Sequence, residues 1–386
     1  MTRPSRLLKI NLPPGQSAFL WGPRKTGKTT YLRETYPDSL FYDFLRTDVV
    51  LDFTKRPSLL REQILAKEPA ILRSPIILDE VQKVPAILDE VHGLIENHGL
   101  RFVLCGSSAR KLKRGKANLL GGRAWRYEMF PLVSEELKDM DLLKALNRGM
   151  IPSHYFQDQY QKSLIGYVQD YLKEEVFAEG LTRNIPGFAR FFDAMGYSHG
   201  ELLNFSNIGR DAGIDAKTVR EYFRILEDTL LGRMVGPYKK KGSRQILLKA
   251  PKFYLFDVGV ASVIAKRHVR EERGEAFGRA FEHFIFMEIA AHTSYRDLHY
   301  DIRYWRTKSG QEVDFVLGDG ETAVEVKGTS RVDPRELRSL GVFVDEYAPK
   351  TAVVVSNERE VRRVGKIRVL PWRIFLTELW QGGIIS

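Results

Sequence analysis

With 386 residues, 60 Lys and Arg against 49 Asp and Glu, and a formal net charge of +11, the chain is longer than a typical single domain and basic, so two or three separate cores are expected. A content of 43% apolar and 28% charged residues is a globular profile without low-complexity tracts, and the one cysteine, Cys105, excludes an internal disulfide and argues against a structural zinc site. No apolar run reaches about twenty residues and no charged-then-apolar leader precedes a small-residue cleavage site, so no membrane segment is expected and the expected compartment is the cytoplasm.

Ser17–Trp21 reads as a short buried strand running into Gly22, Pro23, Arg24, Lys25, Thr26, Gly27, Lys28 and Thr29, with a helix from Thr30 to Glu34. This is the Walker A pattern in its strand-loop-helix setting. The glycines let the backbone curl until its N–H groups and the helix N-terminus point at phosphates, Lys28 reaches the outer phosphates, and Thr29 places a hydroxyl on Mg²⁺. Residues 22–30 are therefore the expected nucleotide-binding segment.

Ile76–Leu78 is an apolar run too short for a helix, and it ends in Asp79 and Glu80. Such a run suits a buried parallel strand that delivers acids to its C-terminal edge. Asp79 is expected to hold Mg²⁺, directly or through water, and Glu80 to polarise the attacking water, which separates a hydrolase from a mere nucleotide binder. Arg101–Cys105 is another buried-strand candidate and ends in Gly106, Ser107 and Ser108; one of these serines is a candidate sensor of the γ-phosphate. Asn-Lys-x-Asp, the guanine-reading signature, is absent from the sequence, which favours ATP.

The Walker A segment, Ile77-Leu78-Asp79-Glu80-Val81-Gln82-Lys83-Val84-Pro85, Leu104-Cys105-Gly106-Ser107-Ser108-Ala109-Arg110-Lys111-Leu112, Leu119-Leu120-Gly121-Gly122-Arg123 and Phe130-Pro131-Leu132 follow one another in this order. Together they resemble the AAA+ ATPases of bacteria and archaea that carry a C-terminal domain of uncharacterised function, and the resemblance covers nearly the whole chain. It implies an α/β AAA+ core over residues 1–130, a helical lid and linker over 131–185 with the lid near Pro131–Arg148, and a homo-oligomeric, hexameric ring with sites between subunits. In that setting Arg123 is the candidate arginine finger, with Arg110 second.

Two basic stretches stand out. Eight basic residues and no acid lie from Arg101 to Arg126, and Lys239, Lys240, Lys241, Arg244, Lys249 and Lys252 lie from Gly236 to Lys252, again without an acid. Each reads as a solvated surface or an anion-binding one, and the overall positive charge favours an anionic partner such as nucleic acid.

Residues 161–203 are helical in character, with Tyr167, Tyr171, Leu172, Val176, Phe188, Phe191, Phe192 and Met195 at helical spacings as core. Phe205, Ile208 and Ala212 then predict a short helix ended by Gly213, and Asp215 caps a second whose buried stripe is Val219, Tyr222, Phe223 and Leu226. The pair matches a helix-turn-helix, and Arg233–Tyr238 with Gln245–Leu248 is expected to form the β-hairpin of a winged helix over residues 186–262. Lys217, Arg220, Arg224, Lys239, Lys240, Lys241 and Arg244 would then make a positive surface for duplex or branched DNA. Winged helices also serve as protein-binding modules.

Residues 263–386 read as a helix from Gly278 followed by strands at Tyr304–Arg306, Gln311–Leu317, Thr322–Lys327 and Thr351–Ser356. If Asp319-Gly320 is a two-residue hairpin turn, Asp314 pairs with Glu325, their Cβ atoms lie about 4.5–5.5 Å apart, and Lys327 shares the face. Two carboxylates so placed suit a divalent cation, and the lysine suits a bound water or an attacked phosphate. Asp, an interval, then Glu-x-Lys resembles the restriction-endonuclease-like fold, in which a helical glutamate, here Glu282, completes the metal site. Val313 stands where that fold often has proline.

The whole reads as an ATP- and Mg²⁺-dependent AAA+ ATPase that remodels, moves on or processes branched DNA, with possible metal-dependent nuclease activity through Glu325 and Lys327. The alternative is a regulatory or defence-type switch ATPase whose winged helix binds protein and whose nuclease-like domain is an inactive scaffold.

Overall fold

The computed structural model describes residues 4–107, 120–172, 184–239 and 249–386. The chain forms two compact units: Leu8–Pro131 with Asp228–Leu231, and Leu132–Glu227 with Gly232–Ser386 and the N-terminal stretch to Leu7. The segments expected as lid and linker, winged helix and C-terminal domain thus lie in one unit. Among the described residues no helix is long and apolar enough to cross a membrane.

The first unit is built on a five-stranded sheet of β1 (Ser17–Trp21), β2 (Phe41–Asp43), β3 (Ile76–Asp79), β4 (Phe102–Gly106) and β5 (Ala124–Glu128). The strand order is β2-β3-β4-β1-β5 and every pairing is parallel. β1, β3 and β4 are buried along their whole length, as their continuous apolar runs require when helices cover both faces. The register pairs Trp21 with Gly106 and Asp43 with Asp79, so the strands end together at one edge. The helix Ile87–His98 buries Ile87, Leu88, Val91, Leu94 and Ile95 and stops at Gly99, whose left-handed φ of 63° lets its N–H bond the Ile95 carbonyl at 3.0 Å. The core joins these residues to Phe19, Phe44, Phe53, Leu78, Phe102 and Leu104.

The second unit holds an eight-stranded mixed sheet. Its strands are β6 (Gly232–Pro237), β7 (Lys252–Leu255), β8 (Arg303–Arg306), β9 (Glu312–Leu317), β10 (Thr322–Lys327), β11 (Thr351–Ser356), β12 (Arg362–Val364) and β13 (Ile367–Pro371), in the order β12-β13-β11-β10-β9-β8-β6-β7. The connection from β9 to β10 has Asp319 at φ 55° and Gly320 at φ 97°, the positive values that a tight hairpin turn of this hand needs. It sets Leu317 against Thr322 and Phe315 against Val324, the register that Asp-Gly implies.

The helix-turn-helix expected from the sequence is present as Phe205–Ala212 and Ala216–Asp228. Asn204 caps the first through Ser206 and Asn207, Gly213 turns the chain at φ 64°, and Asp215 Oδ1 accepts from the N–H groups of Lys217 and Thr218. Val219, Tyr222, Phe223 and Leu226 are buried, with the Phe223 ring 5.0 Å from Phe191 and 4.9 Å from Phe253.

The hairpin differs from expectation. Gln245–Leu248 lies outside the described residues, and the antiparallel partner of β6 is β7, which the sequence reading did not mark as a strand. The other edge of β6 pairs with β8, because a strand edge inside a folded unit must satisfy its N–H and C=O groups. The helix-turn-helix region and the C-terminal strands therefore share one sheet.

Leu94→Ala should lower the unfolding free energy of the first unit by about 2–5 kcal/mol in a urea titration, since Leu94 is fully buried. A loss under about 1 kcal/mol would mean that this helix is not seated on the sheet.

Candidate functional site

The loop after β1 is shaped by residues without a side chain or with positive φ. A Cβ on Gly22 would lie 2.4 Å from the Met129 carbonyl oxygen, so the chain can pass there only as glycine. Lys25 and Gly27 take φ values of 64° and 95°, and Thr26 Oγ1 donates to the Pro23 carbonyl at 2.8 Å. The helix Lys28–Thr35 begins with no side-chain cap and no acid in its first turn, which leaves its N-terminus open to an anion. Lys28 is buried, and its Nζ donates to the carbonyls of Gly22 at 2.6 Å and Pro23 at 3.0 Å.

Across the loop, Thr29 Oγ1 donates to Asp79 Oδ2 at 2.6 Å, and Asp79 Oδ1 accepts from the Glu80 N–H at 3.1 Å. The hydroxyl and carboxylate expected to share a hard cation thus stand side by side, and their chemistry fits Mg²⁺. Glu80 follows the strand with φ 57°, a left-handed value costing about 1–3 kcal/mol for a residue with a side chain. Burial holds its carboxyl above the usual carboxylate range, against the pull of Lys28 and Arg24.

Gln82 completes the arrangement. Its Nε2 donates to Glu80 Oε2 at 2.6 Å and to Ser107 Oγ at 3.2 Å, so the side chain joins the ends of β3 and β4. The sequence alone assigns Gln82 no role, and its place two residues beyond the acid pair is the available signal.

Ser108 and Arg110 lie outside the described residues. Arg123 is ion-paired with Glu96 and precedes β5, whose first residue, Ala124, pairs with the first residue of β1. The loop from Gly22 follows the other end of β1; at about 3.3 Å per residue, roughly 15 Å of strand separates Arg123 from it. Arg123 is thus remote from the phosphate loop of its own chain.

Lys217, Arg220 and Arg224 are exposed along one side of the helix Ala216–Asp228, opposite its buried stripe. The Arg220 guanidinium lies 5.0 Å from the centre of the Phe205 ring. Lys239 is exposed beyond β6, while Lys240, Lys241 and Arg244 lie outside the described residues.

In the second unit the hairpin register brings Asp314 and Glu325 together, both buried. Val326 N–H donates to Asp314 Oδ2 at 2.8 Å, and Lys327 Nζ donates to Glu325 Oε1 at 2.6 Å. A further participant is not legible as a site residue in the sequence. Lys252, at the start of β7, is 3% exposed, and its Nζ lies 2.7 Å from Glu312 Oε1, 3.3 Å from Glu282 Oε1 and 3.9 Å from Asp314 Oδ1. The Tyr254 hydroxyl donates to the same Glu282 oxygen.

The expected metal set of Glu282, Asp314 and Glu325 thus lies beside a cation of the chain's own. Among the described residues no group of three or more His, Cys, Asp or Glu side chains is placed to hold a metal ion. The positive charge facing Glu282 and Asp314 is the Lys252 ammonium, which supplies part of the charge that a cation would otherwise bring to these carboxylates. Burial, then Glu325 and Glu282, push the Asp314 carboxyl well above its ordinary range; burial also raises Glu325, against the pull of Lys327. The signal for Lys252 was a lysine opening a strand of otherwise apolar residues, Lys252-Phe253-Tyr254-Leu255.

A phosphate loop with a neighbouring Thr–Asp pair at one edge of a parallel sheet is the arrangement of a P-loop nucleotide site. Residues 15–138 match a family model described as an AAA domain, which supports an AAA-family ATPase. Residues 140–271 match a domain of unknown function, DUF8612, and residues 277–375 match another, DUF4143. Two uncharacterized proteins, Mb2031c of Mycobacterium bovis and Rv2008c of Mycobacterium tuberculosis, are each 25% identical to this chain over 354 residues, covering 88% of it and 76% of theirs.

Electron paramagnetic resonance of Mn²⁺ added to an Asp79→Ala variant, in which the first-unit site is disabled, should detect no ion held by the carboxylates around Lys252. Bound Mn²⁺ that disappears on a further Glu325→Ala change would show that they form a metal site after all.

Proposed function

We propose that this chain hydrolyses ATP in the presence of Mg²⁺ and uses the hydrolysis cycle to act on DNA. The observation that carries the reading is the Thr29–Asp79 pair at 2.6 Å, with buried Lys28 and Glu80 beside it. Backbone N–H groups of residues 22–30 would cradle the phosphates, and Lys28 would exchange the carbonyls of Gly22 and Pro23 for phosphate oxygens. Thr29 and Asp79 would hold Mg²⁺, which when bound neutralises charge on the phosphates. Glu80 would accept the proton of the attacking water and Ser107 would face the γ-phosphate.

Its distance from the phosphate loop of its own chain supports Arg123 acting on the nucleotide of a neighbouring copy in a ring, which we read as hexameric. The helix-turn-helix, extended by β6 and β7, supports a winged-helix reading, with Lys217, Arg220, Arg224 and Lys239 as phosphate contacts. For the C-terminal strands we keep the restriction-endonuclease-like fold. Lys252 among its carboxylates favours an inactive scaffold over a metal-dependent nuclease, a feature that the switch-ATPase reading shares.

Purified protein should release phosphate from ATP with Mg²⁺, and Glu80→Gln should lower kcat by about 10²–10⁴-fold while ATP-analogue binding survives. No phosphate release by the wild type under any condition would remove the reading.

Binding to duplex or forked DNA should weaken steeply with salt, and Arg220→Ala and Arg224→Ala should each reduce the slope of log K against log salt by about 1. Salt-independent binding, or slopes unchanged in both variants, would turn the reading toward a protein partner.

A further inference from the structure

We propose that Gln82 is a positioning residue for hydrolysis: its single amide group ties the Glu80 carboxylate to the Ser107 hydroxyl, so that the general base and the phosphate-facing serine are set by one side chain. The proposal rests on the hydrolysis reading above and adds a residue to it.

Three local concessions converge on this amide. The first is the left-handed backbone of Glu80, which turns the chain sharply after β3 and carries Gln82 back toward the end of β4. The second is Gly106: a Cβ there would lie 2.2 Å from Gln82 Oε1 and 2.7 Å from a ring carbon of Trp21, so the glutamine has a seat only because residue 106 lacks a side chain. The third is Gln82 Oε1 itself, which is buried without a hydrogen-bond partner among the described residues. Buried polar atoms are almost always paired, so an unpaired oxygen here is a cost to stability. An unfavourable backbone, an obligatory glycine and an unsatisfied oxygen gathered around one side chain mark a position selected for something other than stability.

What the side chain does follows from its donors. An amide nitrogen has two hydrogens, and here they have two acceptors, Glu80 Oε2 at 2.6 Å and Ser107 Oγ at 3.2 Å. With Glu80 ionised, as a general base must be, a turned amide would set its oxygen against the carboxylate, so the direction of both bonds is fixed. Glu80 is left with its other oxygen for water, and Ser107 keeps its hydroxyl proton to donate elsewhere. Glu80 and Ser107 come from adjacent strands and have no other side-chain link among the described hydrogen bonds, so displacement of one is passed to the other through Gln82.

The test is the unbranched apolar isostere, Gln82→Met, in the full-length chain. Its kcat should fall about 10- to 100-fold, the loss expected when a reacting group is misplaced by an ångström. Its affinity for a non-hydrolysable ATP analogue should stay at the wild-type level, although the unpaired Glu80 and Ser107 lower its Tm. Ser107→Ala should cost less in the Gln82→Met background than in the wild type, because the two act through one connection. Should Gln82→Met fail to fold, Gln82→Asn, too short to reach both partners, should give the same pattern. Wild-type kcat in the folded variant, equal loss of analogue binding, or strictly additive effects of the two changes would each overturn the proposal. Wild-type protein without any turnover would instead overturn the hydrolysis reading itself.

Discussion

The hydrogen bond between the Thr29 hydroxyl and the Asp79 carboxylate joins the first helix of the chain to the end of β3, and the chemistry of the first unit is arranged around it. It can form because β1 and β3 run parallel in one sheet and end at the same edge, one releasing the chain into a phosphate loop and the other into an acid pair. Burial gives the contact its value: Asp79 is 1% exposed, and electrostatic interactions strengthen where water is excluded. The same burial explains why so many polar groups nearby are tied to one another, since each would otherwise be costly.

The backbone around this contact is held in forms that a random chain avoids. Lys25 and Glu80 both have positive φ, and Gly22 and Gly106 stand where no side chain fits. Such features persist only where the surrounding structure over-determines them, here the buried ladder of β1, β3 and β4. A stiff sheet core and a strained edge are two sides of one arrangement, since the core's stability offsets the strain that the edge carries.

The second unit solves a different electrostatic problem. Glu282 comes from the long helix Gly274–Tyr295, Glu312 and Asp314 from β9 and Glu325 from β10, with Asp314 and Glu325 buried and Glu282 and Glu312 half-buried. Lys252 from β7 and Lys327 from β10 provide the compensating charge, and Tyr254 adds a hydroxyl donor. Because Lys252 belongs to the strand pair that follows the helix-turn-helix, this cluster also fastens that segment to the C-terminal strands. The chain thus brings cations of its own to these carboxylates.

The sequence by itself determined what is local or strongly patterned: the phosphate loop, the apolar strand ending in Asp79 and Glu80, the helix-turn-helix with its caps, and the Asp-Gly hairpin that pairs Phe315 with Val324. These are legible because the spacing of a few neighbouring residues fixes the backbone, and the backbone then places their side chains. Only the tertiary structure decided that β6 pairs with β7 and β8, that Gln82 reaches Ser107 25 residues away, and that Lys252 enters a pocket of acids. A free strand edge, an amide and an ammonium each accept many partners, and which one they meet depends on how distant segments pack, which no local pattern encodes.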